Sequence, residues 1–202
     1  MEALLPRFRA AHTQVLGISV DSGYCHANWG RDLGGISFPL LSDFEPKGAV
    51  AKRYGLYLDG PGITDRATVI VDSSGIVRHA SSVTPDGERD IAALAELCEQ
   101  VDRELGAGLR DVPAAPGPAG DAMLYVKSGC GFSRAALLAR DNLHLQDTVP
   151  VKNVSDDSAA RDELIAVAGK DQAPCLVVGG EPMHEAAQIV GYLARVCTDL
   201  ST

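Results

Sequence analysis

Polar and apolar positions alternate along this chain in two rhythms, one of helices and one of short buried strands. Leu4, Leu5, Phe8 and Ala11 recur at helical spacing, so residues 2–11 read as a helix tail in which Pro6 fits only a first turn or a kink. Val15-Leu-Gly-Ile-Ser-Val20 is an apolar run suited to a strand covered on both faces. Asp21 or Ser22 then caps a helix across Tyr24 to Leu33, which Gly34-Gly35 stop. Phe38-Pro-Leu-Leu41 is a brief extended piece, and Ser42 and Asp43 offer caps for a helix through Tyr54, ended by Gly55. Residues 67–72 and 76–79, joined through Ser73-Ser-Gly75, predict a hairpin, and an amphipathic helix follows from Gly87 to Leu105.

Residues 106–120 interrupt both rhythms. They are dense in proline, glycine and alanine, which makes them a linker and a domain boundary. The domains are therefore 1–105 and 121–202. The second begins with the strand Met123–Val126 and a helix over 131–143. A strand near 149–153, a helix over 157–168 stopped by Gly169, and the strand Cys175–Val178 come next. Gly179-Gly180 then signals a hairpin turn before a last strand and a last helix. Both halves end in strand, tight turn, strand, helix, so the fold class is α/β with one type of domain used twice.

Composition narrows the chemistry. With 202 residues, 46% of them hydrophobic, the chain can build two small cores. A net charge of −9 with no basic cluster disfavours nucleic acid and anionic membranes as partners. No apolar run is long enough to span a bilayer, and Met1–Arg9 lacks the layout of a signal peptide, so a cytoplasmic home is expected. Cys25, Cys98, Cys130, Cys175 and Cys197 form no CxxC pair, so neither a zinc site nor a disulfide scaffold is expected.

One cysteine is placed for reactivity. Cys130 lies between the strand 123–126 and the helix 131–143, where unpaired backbone N–H groups and the helix dipole favour a thiolate. Lys127 adds a positive charge at the same end. Lys127-Ser-Gly-Cys130-Gly-Phe132-Ser133 resembles the active-site loop of a monothiol glutaredoxin. The resemblance places Ser133 where dithiol relatives carry a second cysteine, so a mixed disulfide on Cys130 must be resolved by an outside thiol, most simply glutathione. It also implies a cis-proline at Pro174 and a glutathione site made by Lys127, Phe132, Ala173, Pro174 and Glu185. Glu185 reads equally as a carboxylate complementing a helix dipole.

The first half carries a second resemblance. Val15–Ser22, His26-Ala-Asn-Trp29, Phe38–Asp43, Ala51–Gly55 and Asp65–Asp72 resemble a peroxiredoxin in order and spacing. This implies two thioredoxin-like domains, the first an incomplete peroxiredoxin fold. It also implies that Arg66 holds the reacting thiolate and the developing oxyanion. The family's peroxide-attacking residue belongs upstream of Met1, so its loss, with that of central strands, would leave apolar strand edges unpaired. A misplaced start after a selenocysteine codon is the expectation for its origin.

Cys25 is a candidate resolving thiol, against the plainer reading of a partly buried helix cysteine. Trp29 is expected to pack, the five histidines to be solvated or capping, and Cys98, Cys175 and Cys197 to be structural. The reading that follows is an antioxidant oxidoreductase acting on hydroperoxide with glutathione as reductant, with a homodimer as a candidate assembly and no metal. The rival is a carrier of an iron–sulfur cluster shared between two protomers, or a glutathione-binding module without turnover.

Overall fold

The computed structural model describes residues 1–105, 108–109 and 116–198. Most of the predicted linker, and residues 199–202 at the end, lie outside the described residues. The chain divides into two compact units, Met1–His26 with Phe38–Val112 and Ala27–Ser37 with Pro113–Thr202. Ala27–Ser37, part of the first half by sequence, thus groups with the second unit.

In the first unit a 3-10 turn (Glu2–Leu4) leads into α1 (Leu5–Ala10), with Pro6 in its first turn, where a missing N–H removes no helical bond. Phe8 of α1, Ile70 of β5 (Ala67–Val71) and Ala95 and Cys98 of α4 (Ile91–Leu105) make a small core. Arg7 pairs with Glu99 at 2.8 Å and His12 with Asp102 at 2.7 Å, fastening α1 to α4.

The strands of this unit are short and sit in three separate pairs. β1 (Gly17–Ser19) runs parallel to β2 (Leu40–Ser42), with Ile18 opposite Leu41. β3 (Tyr57–Leu58) and β4 (Ile63–Thr64) form a minimal hairpin, and β5 pairs antiparallel with β6 (Val77–Ser82). Among the described residues no strand joins β1 to β5. Ile18, Leu41, Val71 and Val77 are exposed in consequence, which is the incomplete fold that the resemblance implies.

Several local expectations need correction. The helix expected through Tyr54 shrinks to α3 (Ala49–Arg53), because Pro46 biases the residue before it, Glu45, away from helical backbone. Asp43 still caps it from a distance, accepting the N–H groups of Val50 at 3.1 Å and Ala51 at 3.0 Å. Ser22 caps α2 (Gly23–Asp32) through the Cys25 N–H at 3.3 Å. Trp29 is half exposed rather than packed, and His26 is buried with its Nε2 2.7 Å from Ser19 Oγ rather than solvated.

The second unit holds a continuous four-stranded sheet in the order β10, β9, β7, β8. β7 (Ala122–Val126) is parallel to β8 (Val151–Asn153) and antiparallel to β9 (Cys175–Val178), with Leu124 opposite both Val151 and Leu176. Both faces of β7 are covered. Leu124 and Val126 point to a core with Ala136 of α5 (Gly131–Asn142) and Ile189 and Leu193 of α7 (Ala186–Cys197). Tyr125 packs on the opposite face with Ala160 and Leu164 of α6 (Ser158–Ala168) and Cys175. Strict alternation of this kind follows from the two-residue period of a strand. Leu124, Leu164, Leu176, Ile189 and Leu193 are fully buried, and each such burial contributes about 1.5–3 kcal/mol.

Turn chemistry sets the ends. Asp157 caps α6 by accepting two N–H groups, and Gly169 closes it at φ 71°. Gly179 and Gly180, both at positive φ, turn β9 into β10 (Glu181–Met183), as their sequence predicts.

Candidate active site

The loop after β7 and the start of α5 bring four polar contributions to one sulfur. Gly129 turns the chain at φ 69°, a conformation that costs glycine nothing, and Cys130 then stands as the N-cap of α5. Its Sγ accepts the Ser133 N–H at 3.5 Å. Hydrogen bonds from the Ser133 backbone and side chain, and from the Phe132 backbone, pull the Cys130 pKa below that of a free thiol, with the Lys127 charge the smallest contribution.

Ser133 carries the arrangement. It is 1% exposed, and its hydroxyl accepts the Lys127 N–H at 3.1 Å, so one residue braces the loop on both sides of the cysteine. Ser128 is pinned in the same way: its N–H donates to Ser155 Oγ at 3.1 Å and its Oγ to Asp156 at 3.2 Å. Phe132, next to the reactive position, is 71% exposed and offers an aromatic face to solvent.

The remaining predicted residues lie on the loop into β9 and at the start of α7. The Ala173–Pro174 peptide bond is cis, as the first resemblance implies. Cys175 is completely buried beside it, and burial pushes its thiol pKa up. Glu185 stands at the N-cap of α7 with φ 66°, ahead of the first turn rather than within it, and its carboxylate accepts from Gln172 Nε2 at 3.1 Å. His184 is not solvated as expected, since both ring nitrogens are buried and that burial lowers its pKa.

Lys127 is engaged by a residue that the sequence did not single out. Its Nζ lies 3.1 Å from Asp171 Oδ1, and Asp171 Oδ2 lies 2.6 Å from Arg161 Nη2. Arg161 was overlooked because one arginine on the polar face of a helix carries no pattern.

Arg66 and Cys25 belong to the first unit and have separate partners. Arg66 donates its Nε–H to the Pro85 carbonyl at 2.8 Å. Arg89, also missed by sequence, donates to the Ala67 carbonyl at 2.8 Å; burial first, and the nearby Arg66 charge second, lower its pKa. Cys25 is exposed, not partly buried, and its thiol donates to Asp21 at 3.7 Å.

A thiolate-stabilising N-cap cysteine on a sheet flanked by helices, with a cis-proline on the loop into the adjoining strand, defines a thiol redox protein of thioredoxin-like fold. Comparison with known proteins gives the particular families. Residues 1–80 match the AhpC/TSA family and residues 122–183 match glutaredoxin. The chain joins a peroxiredoxin-like region to a glutaredoxin-like domain.

Alkyl hydroperoxide reductase E of Mycobacterium tuberculosis is 43% identical over 86 residues, which cover 43% of this chain and 56% of that protein. The mitochondrial thioredoxin-dependent peroxide reductase of Drosophila melanogaster is 40% identical over 83 residues, covering 38% and 35% respectively. The solved structure of Mycobacterium tuberculosis AhpC is 27% identical and covers 50% of this chain and 60% of its own, with a TM-score of 0.46. The chain thus spans about half the length of the first relatives it matches. The two family matches support thiol-dependent redox chemistry in general terms. No helix among the described residues is long and apolar enough to cross a membrane.

Proposed function

We propose that this chain is an antioxidant oxidoreductase of the cytoplasm in which Cys130 exchanges disulfides with glutathione and supplies electrons for hydroperoxide reduction. The observation that carries the reading is the Cys130 sulfur seated as an N-cap and accepting the Ser133 N–H. Hydrogen bonds to a sulfur so placed favour its thiolate, and the thiolate is the attacking species.

The exchange runs in two steps. The Cys130 thiolate attacks the glutathione sulfur of a protein–glutathione mixed disulfide, forming a Cys130–glutathione disulfide and releasing the protein thiolate. A second glutathione thiolate then attacks the glutathione sulfur on Cys130, giving oxidised glutathione and restoring the Cys130 thiolate. With Ser133 in place of a second cysteine, the resolving thiol comes from solution. Lys127 meets a carboxylate of the tripeptide, and Phe132, Ala173, Pro174 and Glu185 line its remaining contacts.

In the peroxiredoxin-like region Arg66 holds the anionic oxygen of the reacting peroxide, but none of the five cysteines supplies the attacking group. Cys98 is buried, and the exposed Cys25 thiol faces the Asp21 carboxylate. Cys25 serves as the resolving thiol where an attacking residue is present.

A coupled assay with glutathione and glutathione reductase tests the reading. Residues 1–202 should reduce a glutathione mixed disulfide, lose that activity in Cys130→Ser, and show no hydroperoxide turnover. Undiminished disulfide turnover in Cys130→Ser defeats the first claim, and peroxide turnover by the chain alone defeats the second. The cluster-carrier alternative is not favoured by the matches.

A further inference from the structure

Two cations from different elements close on a single carboxylate beside the reactive loop. Lys127 follows strand β7, Arg161 lies on α6, and Asp171 receives both, at 3.1 Å and 2.6 Å. The Asp171 carbonyl holds the lysine a second time, 3.4 Å from Nζ. The aspartate side chain is 22% exposed while those of Lys127 and Arg161 are 36% and 56% exposed, so both positive ends remain reachable over an anion set deeper. Lys127 first, and Arg161 with it, hold the Asp171 carboxyl below the usual range, which keeps it ionised at neutral pH.

We propose that Asp171 is a built-in carboxylate that competes for Lys127 with the carboxylate of any thiol or disulfide reacting at Cys130, and so sets how strongly the site admits anionic reagents. A cation that already holds one carboxylate attracts a second more weakly, because the two negative charges repel and the first must be displaced. In the exchange, the Lys127–Asp171 pair breaks, a Lys127–ligand pair forms, and Asp171 keeps Arg161. Asp171 is therefore a positioning residue for the proposed exchange, from which the choice of glutathione as natural reagent is taken. The competition itself concerns any carboxylate-bearing reagent.

Two alkylating probes of nearly equal size read this directly. Iodoacetate carries a carboxylate and iodoacetamide does not; each forms an S–C bond at Cys130 and releases iodide, and the ratio of their rates cancels the fraction of thiolate. Measured by mass at Cys130 in the full chain, Asp171→Asn should raise the iodoacetate-to-iodoacetamide ratio by about three- to tenfold. The rise should disappear when Lys127→Met is added. An unchanged ratio in a folded Asp171→Asn chain overturns the proposal, as does a rise that persists without Lys127. Asp171→Ser serves where Asp171→Asn does not fold, and failure of both to fold assigns Asp171 a purely structural role, which also overturns it. Glutathione turnover is scored separately. A raised ratio without turnover keeps this inference and sinks the glutathione reading, while turnover with an unchanged ratio does the reverse.

Discussion

Ser133 donates its backbone N–H to the sulfur of Cys130 at 3.5 Å, its hydroxyl hydrogen-bonds the same sulfur, and that hydroxyl accepts the Lys127 N–H at 3.1 Å, so one buried residue braces both Cys130 and Lys127. Ser133→Ala should therefore act twice. Loss of a hydrogen bond to the thiolate raises the Cys130 pKa, and the Lys127 amide loses its acceptor, which costs about 1–3 kcal/mol for a buried group. The pH profile of iodoacetamide labelling should move to higher pH, and urea unfolding should show the lower stability. An unmoved profile would show that the serine hydroxyl has no part in holding the charge.

The lowered Cys130 pKa makes stability depend on pH. The folded chain gives up this proton more readily than the unfolded chain, so the contribution is fully present above the unfolded thiol pKa of about 8.5 and is lost as pH falls through the folded value. The melting temperature of the native chain minus that of Cys130→Ser should accordingly rise with pH across that window. A flat difference would contradict the thiolate assignment.

Asp72 organises the turn between β5 and β6. It accepts the N–H of Ser74 at 2.8 Å, that of Ile76 at 3.0 Å and Arg78 Nε at 2.6 Å, with its own side chain only 1% exposed. Asp72→Ala leaves these donors unmatched and should destabilise the first unit by about 2–4 kcal/mol. Hydrogen exchange of the β5 and β6 amides, with β7 and β9 as the internal control, would localise the loss.

Asp157→Ala removes the acceptor of two N–H groups at the start of α6 and should cost about 1 kcal/mol. Chemical denaturation measures it, and Asp157→Ser should recover most of the loss.

The open strands of the first unit predict a concentration-dependent weakness. Among the described residues β1 and β5 each pair on one side only, and Ile18 and Val71 are exposed upon them. Ile18→Lys with Val71→Lys should reduce self-association in sedimentation experiments without altering Cys130 labelling, because charged residues on open edges oppose strand addition. Equal association in both proteins would show that these edges do not drive it.

The parts legible in the sequence are those fixed by neighbours along the chain. Cys130 at a strand-to-helix turn, Asp157 and Gly169 as helix ends, and Gly179-Gly180 as a tight turn each depend on a few adjacent residues, and each stands where the pattern put it. Features made by distant residues were not legible. Asp43 is the cap that its sequence offers, but its reach to a helix that begins only at Ala49 is encoded by no spacing rule. The two-residue strands β3 and β4 are too short to show a period, and the meeting of Lys127, Arg161 and Asp171 exists only once β7 and α6 are packed together.

Cys175 sits directly after Pro174, yet it is sealed from solvent, as is Cys98, while Cys25 is open and Cys130 and Cys197 are partly so. In a background carrying Cys25→Ser and Cys197→Ser, a membrane-permeant dye or mass tag would thus report on the loop sulfur and could follow the oxidation of residue 130 inside a living cell.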